Sequence, residues 1–85
     1  MPYRALLEKH LAQAEIVIRD NEERIASQRR TLEEMEKAGR NTELGVAVLA
    51  LLEHSQELHL ADRDRLRAEL AKLPAWTDRA DDDPG

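Results

Sequence analysis

Apolar residues recur at alternating steps of three and four along the first 35 residues, and the same rhythm returns after Gly39. A 3.5-residue repeat keeps one narrow stripe of a helix facing a partner helix, so it specifies coiled-coil packing. The short connection makes the two helices antiparallel neighbours. The first stripe comprises Leu7, Leu11, Ala14, Ile18, Asn21, Ile25, Gln28, Leu32 and Met35, and the second comprises Gly45, Leu49, Leu52, Gln56, His59, Arg63, Leu66, Leu70 and Leu73.

The repeat predicts an all-α fold, a long antiparallel helical hairpin or two-helix coiled coil over residues 1–73. Gly39 suits the left-handed position that closes a helix, and Asn41 or Thr42 suits the next N-cap. Pro74 stops the second helix because proline lacks an N–H and clashes with the preceding turn. A turn centred near residue 41 pairs residues whose numbers add up to roughly 82. We expect helices over residues 3–38 and 43–73, a turn over 39–42 and an acidic disordered tail over 74–85.

The composition favours an interaction module over an enzyme. The chain has 85 residues, no cysteine and three glycines. It contains no glycine-rich phosphate loop, no thiol nucleophile and no local signature of a Ser–His–Asp set, so we expect no catalytic residue and no cofactor. A two-helix hairpin covers only one side of each helix, and so short a chain struggles to build a core alone. We therefore expect a homo-oligomer, most simply a dimer that forms a four-helix bundle.

The run from Leu44 to Leu52 is apolar on all sides of its helix. Such a helix is normally buried on all sides, and a single partner helix covers only one of them. The remaining surface indicates a contact with another chain, either a second copy or an unidentified protein partner. The expected oligomer interface comprises Leu44, Val48, Leu49, Leu51 and Leu52 together with Ile25 and Leu32.

Polar residues interrupt the middle of both stripes. A buried polar side chain costs stability unless it is hydrogen-bonded, and in coiled coils it often fixes register and oligomer state. We interpret these residues as an internal hydrogen-bond layer. The alternative is a small-ligand or metal-binding bundle, although the sequence lacks the Glu-x-x-His and paired-His spacings of helical metal sites, and we expect no metal. This polar seam comprises Asn21, Gln28, Gln56, His59 and Arg63.

The charge pattern argues against nucleic acid and membrane as partners. The net charge is −5, and Arg63, Arg65 and Arg67 alternate with acidic residues, which predicts a salt-bridged, solvated face. No apolar stretch approaches the ~20 residues that span a bilayer, and the N-terminus does not resemble a signal peptide, so we expect a cytoplasmic protein. A third alternative is a small transcription-associated regulator that acts through the charged hairpin tip around Gly39.

Two stretches carry a resemblance to a group of proteins. One runs from Leu11 through Ile18 and Ile25 to Arg29, and the other runs from Leu51 to Leu66. Together they resemble short, uncharacterised helical-hairpin proteins that are common in alphaproteobacteria, especially rhizobia. The resemblance implies a bacterial cytoplasmic origin and brings no known activity or site. The residues of the match are Leu11, Ala12, Gln13, Ala14, Glu15, Ile18, Glu22, Arg24, Ile25, Gln28 and Arg29, then Leu51, Leu52, Gln56, Leu58, His59 and 61–66.

Overall fold

The structure, a computed structural model, describes residues 3–74 of the chain. Two long helices make up this part of the chain. Helix α1 spans Tyr3–Lys37 and helix α2 spans Glu43–Lys72, with no strand among the described residues. The helices pack antiparallel, which confirms the all-α hairpin. At 1.5 Å per residue, α1 is roughly 50 Å long. The acidic tail predicted for residues 74–85 lies outside the described residues, apart from Pro74.

Helix α1 closes at Gly39, which has a φ of 70°. The Gly39 N–H donates to the carbonyl of Glu36 over 3.1 Å, and the Arg40 N–H donates to the carbonyl of Met35 over 2.9 Å. These two bonds satisfy carbonyls that the helix end leaves without partners, and the positive φ is accessible at little cost only to glycine. The closure ends α1 at Lys37, one residue before the predicted end.

Side chains and proline set the two ends of α2. The Oδ1 atom of Asn41 accepts a hydrogen bond from the Glu43 N–H over 2.9 Å, whereas Thr42, the N-cap by position, makes no side-chain cap bond. Asn41 therefore supplies the cap through an Asx-type turn. At the other end, Leu73 has extended backbone because the following Pro74 disfavours the helical conformation.

The helices pair in a register in which the numbers of facing core residues add up to 77. Asn21 bonds Gln56 across the seam, and a Cβ at Gly45 would touch Leu32. The same register places Ile25 opposite Leu52. The turn-centred expectation of roughly 82 does not describe these core pairs, because it would place Ile25 opposite the exposed residue 57 and join a stripe position to a non-stripe position.

The seam buries few side chains. From Leu7 to Lys37, every residue of α1 that is not exposed belongs to the predicted stripe. None of the described side chains is fully enclosed. The coiled-coil repeat therefore defines the core, but the core of one hairpin is thin. Its buried residues are Leu7, Ile18, Leu32 and Leu66, with the polar Asn21 and Gln56.

Candidate interaction surface

The centre of the seam contains one buried polar layer. Asn21 Nδ2 donates to Gln56 Oε1 and to the main-chain carbonyl of Leu52, both over 3.1 Å. Gln56 Nε2 donates to the main-chain carbonyl of Ile18 over 3.0 Å. Each amide thus bonds the main chain of the opposite helix as well as the other amide. Because both amide NH₂ groups donate within the protein, the layer is a structural link between the helices.

The other polar residues of the seam do not join this layer. Gln28 Nε2 donates to the main-chain carbonyl of Gly45 over 3.0 Å, nearer the hairpin turn. His59 Nε2 and the Ser55 hydroxyl lie 3.1 Å apart within α2. The guanidinium of Arg63 donates to Asp64 over 2.9 and 3.0 Å, so it bonds its neighbour rather than the opposite helix. Of the five predicted residues, Asn21 and Gln56 therefore bond each other, whereas Gln28, His59 and Arg63 make separate contacts.

A second apolar stripe lies on the outside of α2. Leu44 is 78% exposed, Val48 38%, Leu51 70% and Leu58 60%. Together with the intervening Ser55 they are spaced by four, three, four and three residues, which is again the spacing of one helix face. We call these five residues the outer stripe. The second helix thus carries two parallel seams, and the hairpin covers only one of them.

The residues expected at an oligomer interface divide between these two seams. Leu44, Val48 and Leu51 belong to the outer stripe, where they are exposed. Leu49 and Leu52 are half-buried on the inner seam of α2, opposite α1. Two residues of α1 share that inner seam, Ile25 as half-buried and Leu32 as buried.

Leu58 is a member of the outer stripe that the sequence interpretation missed. It stands outside the continuous apolar run, between the polar residues Glu57 and His59, so the run alone does not identify it as a member of the stripe. The sequence feature that identifies Leu58 is the interval of seven residues from Leu44 to Leu51, which repeats from Leu51 to Leu58. Residues seven apart lie on the same side of a helix within a small angular drift.

Shallow grooves between the helices border the outer stripe. One groove is lined by Val17, Asn21, Leu52, Ser55 and His59, among others. A second is lined by His10, Val17, His59, Asp62 and Arg65, among others, so the two continue one another. Ser55 belongs to the outer stripe, and Asp62 and Arg65 continue its spacing. The outer stripe therefore lies beside this groove on one side of the hairpin.

The stripe becomes charged beyond Leu58. Arg65 donates to Asp62 over 2.6 Å and to Glu69 over 3.1 Å. The hydrogen bond to Asp62, followed by the charges of Asp62 and Glu69, raises the pKa of the Arg65 guanidinium above its ordinary value. Arg67 also pairs with Glu15 of α1 over 3.8 Å. These pairs confirm the salt-bridged face predicted for the arginines.

Residues 3–74 contain no group of three or more His, Asp or Glu side chains that could hold a metal ion. Over the same residues, neither helix combines the length and apolar character that crossing a membrane requires. Comparisons of the chain with protein-family models, curated proteins and solved structures found no match. The case for a function therefore rests on the residues and contacts described above.

Proposed function

We propose that this protein is a non-enzymatic, self-associating structural module, in which two hairpins dock through the outer stripe into an assembly of four helices. The observation that carries the proposal is the line of three exposed leucines, Leu44, Leu51 and Leu58, one on each successive heptad of α2. Apolar side chains that repeat with coiled-coil spacing fit another helix with the same spacing. A second copy of this chain supplies such a helix.

The thin core of the hairpin supports the same proposal. Only four apolar side chains are buried among the described residues, and none is completely enclosed. Burying a leucine stabilises an assembly by about 1.5–3 kcal/mol, so covering the outer stripe of both copies adds a hydrophobic contribution comparable with that of the inner seam. Small helical proteins commonly reach useful stability by such oligomerisation.

The outer stripe places α2 at the centre of the assembly. The positions of α1 on the same side of the hairpin are mainly polar, and they include Gln13, Asp20, Ser27 and Glu34. The two copies of α2 would therefore contact each other, with the two copies of α1 flanking them. In this arrangement only the two α2 helices meet at the contact between the copies, unlike a bundle in which all four helices share one core.

No specific contact among the described residues favours the alternatives. A ligand-binding bundle would need polar groups that await a ligand, whereas the amides of Asn21 and Gln56 donate to protein acceptors. For a regulator acting through the hairpin tip, the described residues offer no supporting feature besides the charges of the tip. The resemblance to short alphaproteobacterial hairpin proteins is compatible with self-association in the cytoplasm and adds no activity.

The test is the solution mass across a concentration series by light scattering, with circular dichroism on the same samples. We expect the wild-type protein to have twice the chain mass at micromolar concentration, and Leu51→Asp to have the mass of one chain. Ile16→Asp is the matched control, because Ile16 is an exposed apolar residue of α1 outside the outer stripe. It should remain a dimer.

Two results would count against the proposal. One is a wild-type protein with the mass of a single chain throughout the series, which would assign the outer stripe to a different protein partner. The other is a Leu51→Asp variant that dimerises as tightly as the wild type, which would place the contact elsewhere on the hairpin.

A further inference from the structure

We infer that the two copies dock their α2 helices parallel and in register, so that each residue of the outer stripe packs against the same residue of the other copy. This inference rests on the proposed self-association and adds its orientation. The two-fold axis then runs along the helices, between the two outer stripes, and both hairpin tips lie at the same end of the assembly. An antiparallel dimer would have one tip at each end.

The first argument is the order of the intervals along the outer stripe. From Leu44 to Leu58 the intervals are four, three, four and three residues, and in the reverse direction they are three, four, three and four. A parallel copy therefore matches the stripe at all five of its positions. A reversed copy matches it only after a shift along the stripe, which leaves at most four positions in contact. The parallel pair covers more of the stripe.

The second argument is the position of Ser55, the polar residue of the stripe. In the parallel pair Ser55 faces Ser55, and each of the other four positions brings two apolar side chains together. In both reversed pairs that keep four positions, Ser55 faces Leu44 or Leu51, so only two of the four contacts are apolar on both sides. Because the hydrophobic contribution grows with the apolar area that is buried, the parallel pair is favoured.

Two local features make the parallel contact favourable. The Ser55 hydroxyl lies 3.1 Å from His59 Nε2 of its own helix, so covering it does not leave it without a hydrogen-bond partner. Val48 precedes a three-residue interval, which is heptad position a, and the leucines occupy position d. A β-branched residue at a with leucine at d is the combination that favours two strands in parallel coiled coils.

The charged residues beyond Leu58 set the end of this contact. In a parallel pair Asp62 would face Asp62, and like charges at an interface are unfavourable. The cost is limited because Arg65 donates to Asp62 and Glu69 of its own helix, so these charges already have opposite partners. The apolar contact therefore spans residues 44–58, about 21 Å along the helix, and the two helices separate beyond it.

Cross-linking through engineered cysteines tests the orientation, because the chain contains no cysteine. Leu44→Cys and Leu58→Cys are treated with a short bis-maleimide, first separately and then after mixing, at a concentration where light scattering shows dimers. One variant carries a heavy nitrogen isotope, so that mass spectrometry distinguishes the mixed product. Ile16→Cys, on the exposed surface of α1, is the control for random collisions.

We expect Leu44→Cys alone and Leu58→Cys alone to form covalent dimers about a hundredfold faster than Ile16→Cys, because thiols within one dimer react at an effective millimolar concentration. The mixed product should form slowly, since the two positions lie about 21 Å apart along parallel helices.

The other outcomes separate the two proposals. A rapidly formed mixed product, with each separate variant at the rate of the control, would overturn the parallel orientation and leave self-association intact. Dimers by scattering with no cross-linking above the control in any sample would overturn the outer stripe as the contact. A wild-type protein with the mass of a single chain would overturn both proposals.

Discussion

The amides of Asn21 and Gln56 meet in the middle of the seam with 3.1 Å between Nδ2 and Oε1. Each amide also donates to the main chain of the opposite helix, Asn21 to the carbonyl of Leu52 and Gln56 to that of Ile18. Sliding one helix by a heptad would separate Asn21 from Gln56 and break the bond between their amides. The pair is therefore a register lock, which a purely apolar seam of repeated leucines lacks.

This lock predicts a strong coupling between the two residues. Asn21→Leu alone should lower the free energy of unfolding by about 1–3 kcal/mol, because it leaves the buried Gln56 oxygen without its donor. The double change Asn21→Leu with Gln56→Leu should recover most of that loss. Chemical unfolding followed by circular dichroism at one fixed protein concentration measures both. Additive losses, without recovery in the double variant, would contradict the lock.

Gly45 is predicted to mark a close approach of the two helices. A Cβ at Gly45 would lie 2.5 Å from Cδ2 of the buried Leu32. Gly45→Ala should therefore destabilise the hairpin by about 1 kcal/mol, since overpacking costs more than the gain in helix propensity. In a Leu32→Val background, which lacks Cδ2, the same change should stabilise. The unfolding midpoints of the wild type, Gly45→Ala, Leu32→Val and the double variant measure the effect of Gly45→Ala in each background. An effect with the same sign in both backgrounds would contradict the close approach.

Gly39 is predicted to tolerate only residues that accept a positive φ. Gly39→Ala should lower the free energy of unfolding by about 1 kcal/mol, because a Cβ is strained in the left-handed region. Apart from Gly39 and its two chain neighbours, no described residue has an atom within 4 Å of the place where that Cβ would be, so the cost is conformational rather than a clash with a packed neighbour. Gly39→Asn is the matched control and should cost less. Thermal unfolding compares the two, and an equal loss would contradict the conformational explanation.

The ion pairs beside the seam are predicted to contribute little. Arg29 pairs with Glu53 over 3.5 Å and Arg67 with Glu15 over 3.8 Å, and all four side chains are exposed. Glu15→Gln should lower the free energy of unfolding by less than about 1 kcal/mol, and the difference should vanish near 1 M salt. Unfolding curves at low and high salt measure this. A larger loss that persists in salt would show that the pair acts by packing rather than by charge.

Local chemistry made much of the fold predictable. The positions of the inner seam follow from the spacing of residues such as Leu7, Ile18 and Leu32, because a rigid helix converts intervals of three and four into one face. The closure at Gly39 and the stop before Pro74 follow from single residues with restricted or unusual backbone preferences. These features need no knowledge of the opposite helix.

The candidate surface was only partly predictable. The apolar run indicated excess apolar surface around Leu51, and the stripe spacing placed Leu49 on the inner seam and left Val48 and Leu51 outside it. Leu58 required the observation that a second stripe continues past the run. Among the polar residues, the sequence identified the set and did not identify Asn21 and Gln56 as the pair that meets.

The sequence by itself determined that this chain forms two helices with facing stripes, because helix formation and amphipathic spacing are properties of each segment. The tertiary structure alone decided the register and the partner of Asn21. The physical reason is that a heptad repeat looks the same after every shift of seven residues. Only side-chain contacts between the helices, such as the Asn21–Gln56 amide pair and Leu32 against Gly45, distinguish one shift from the next.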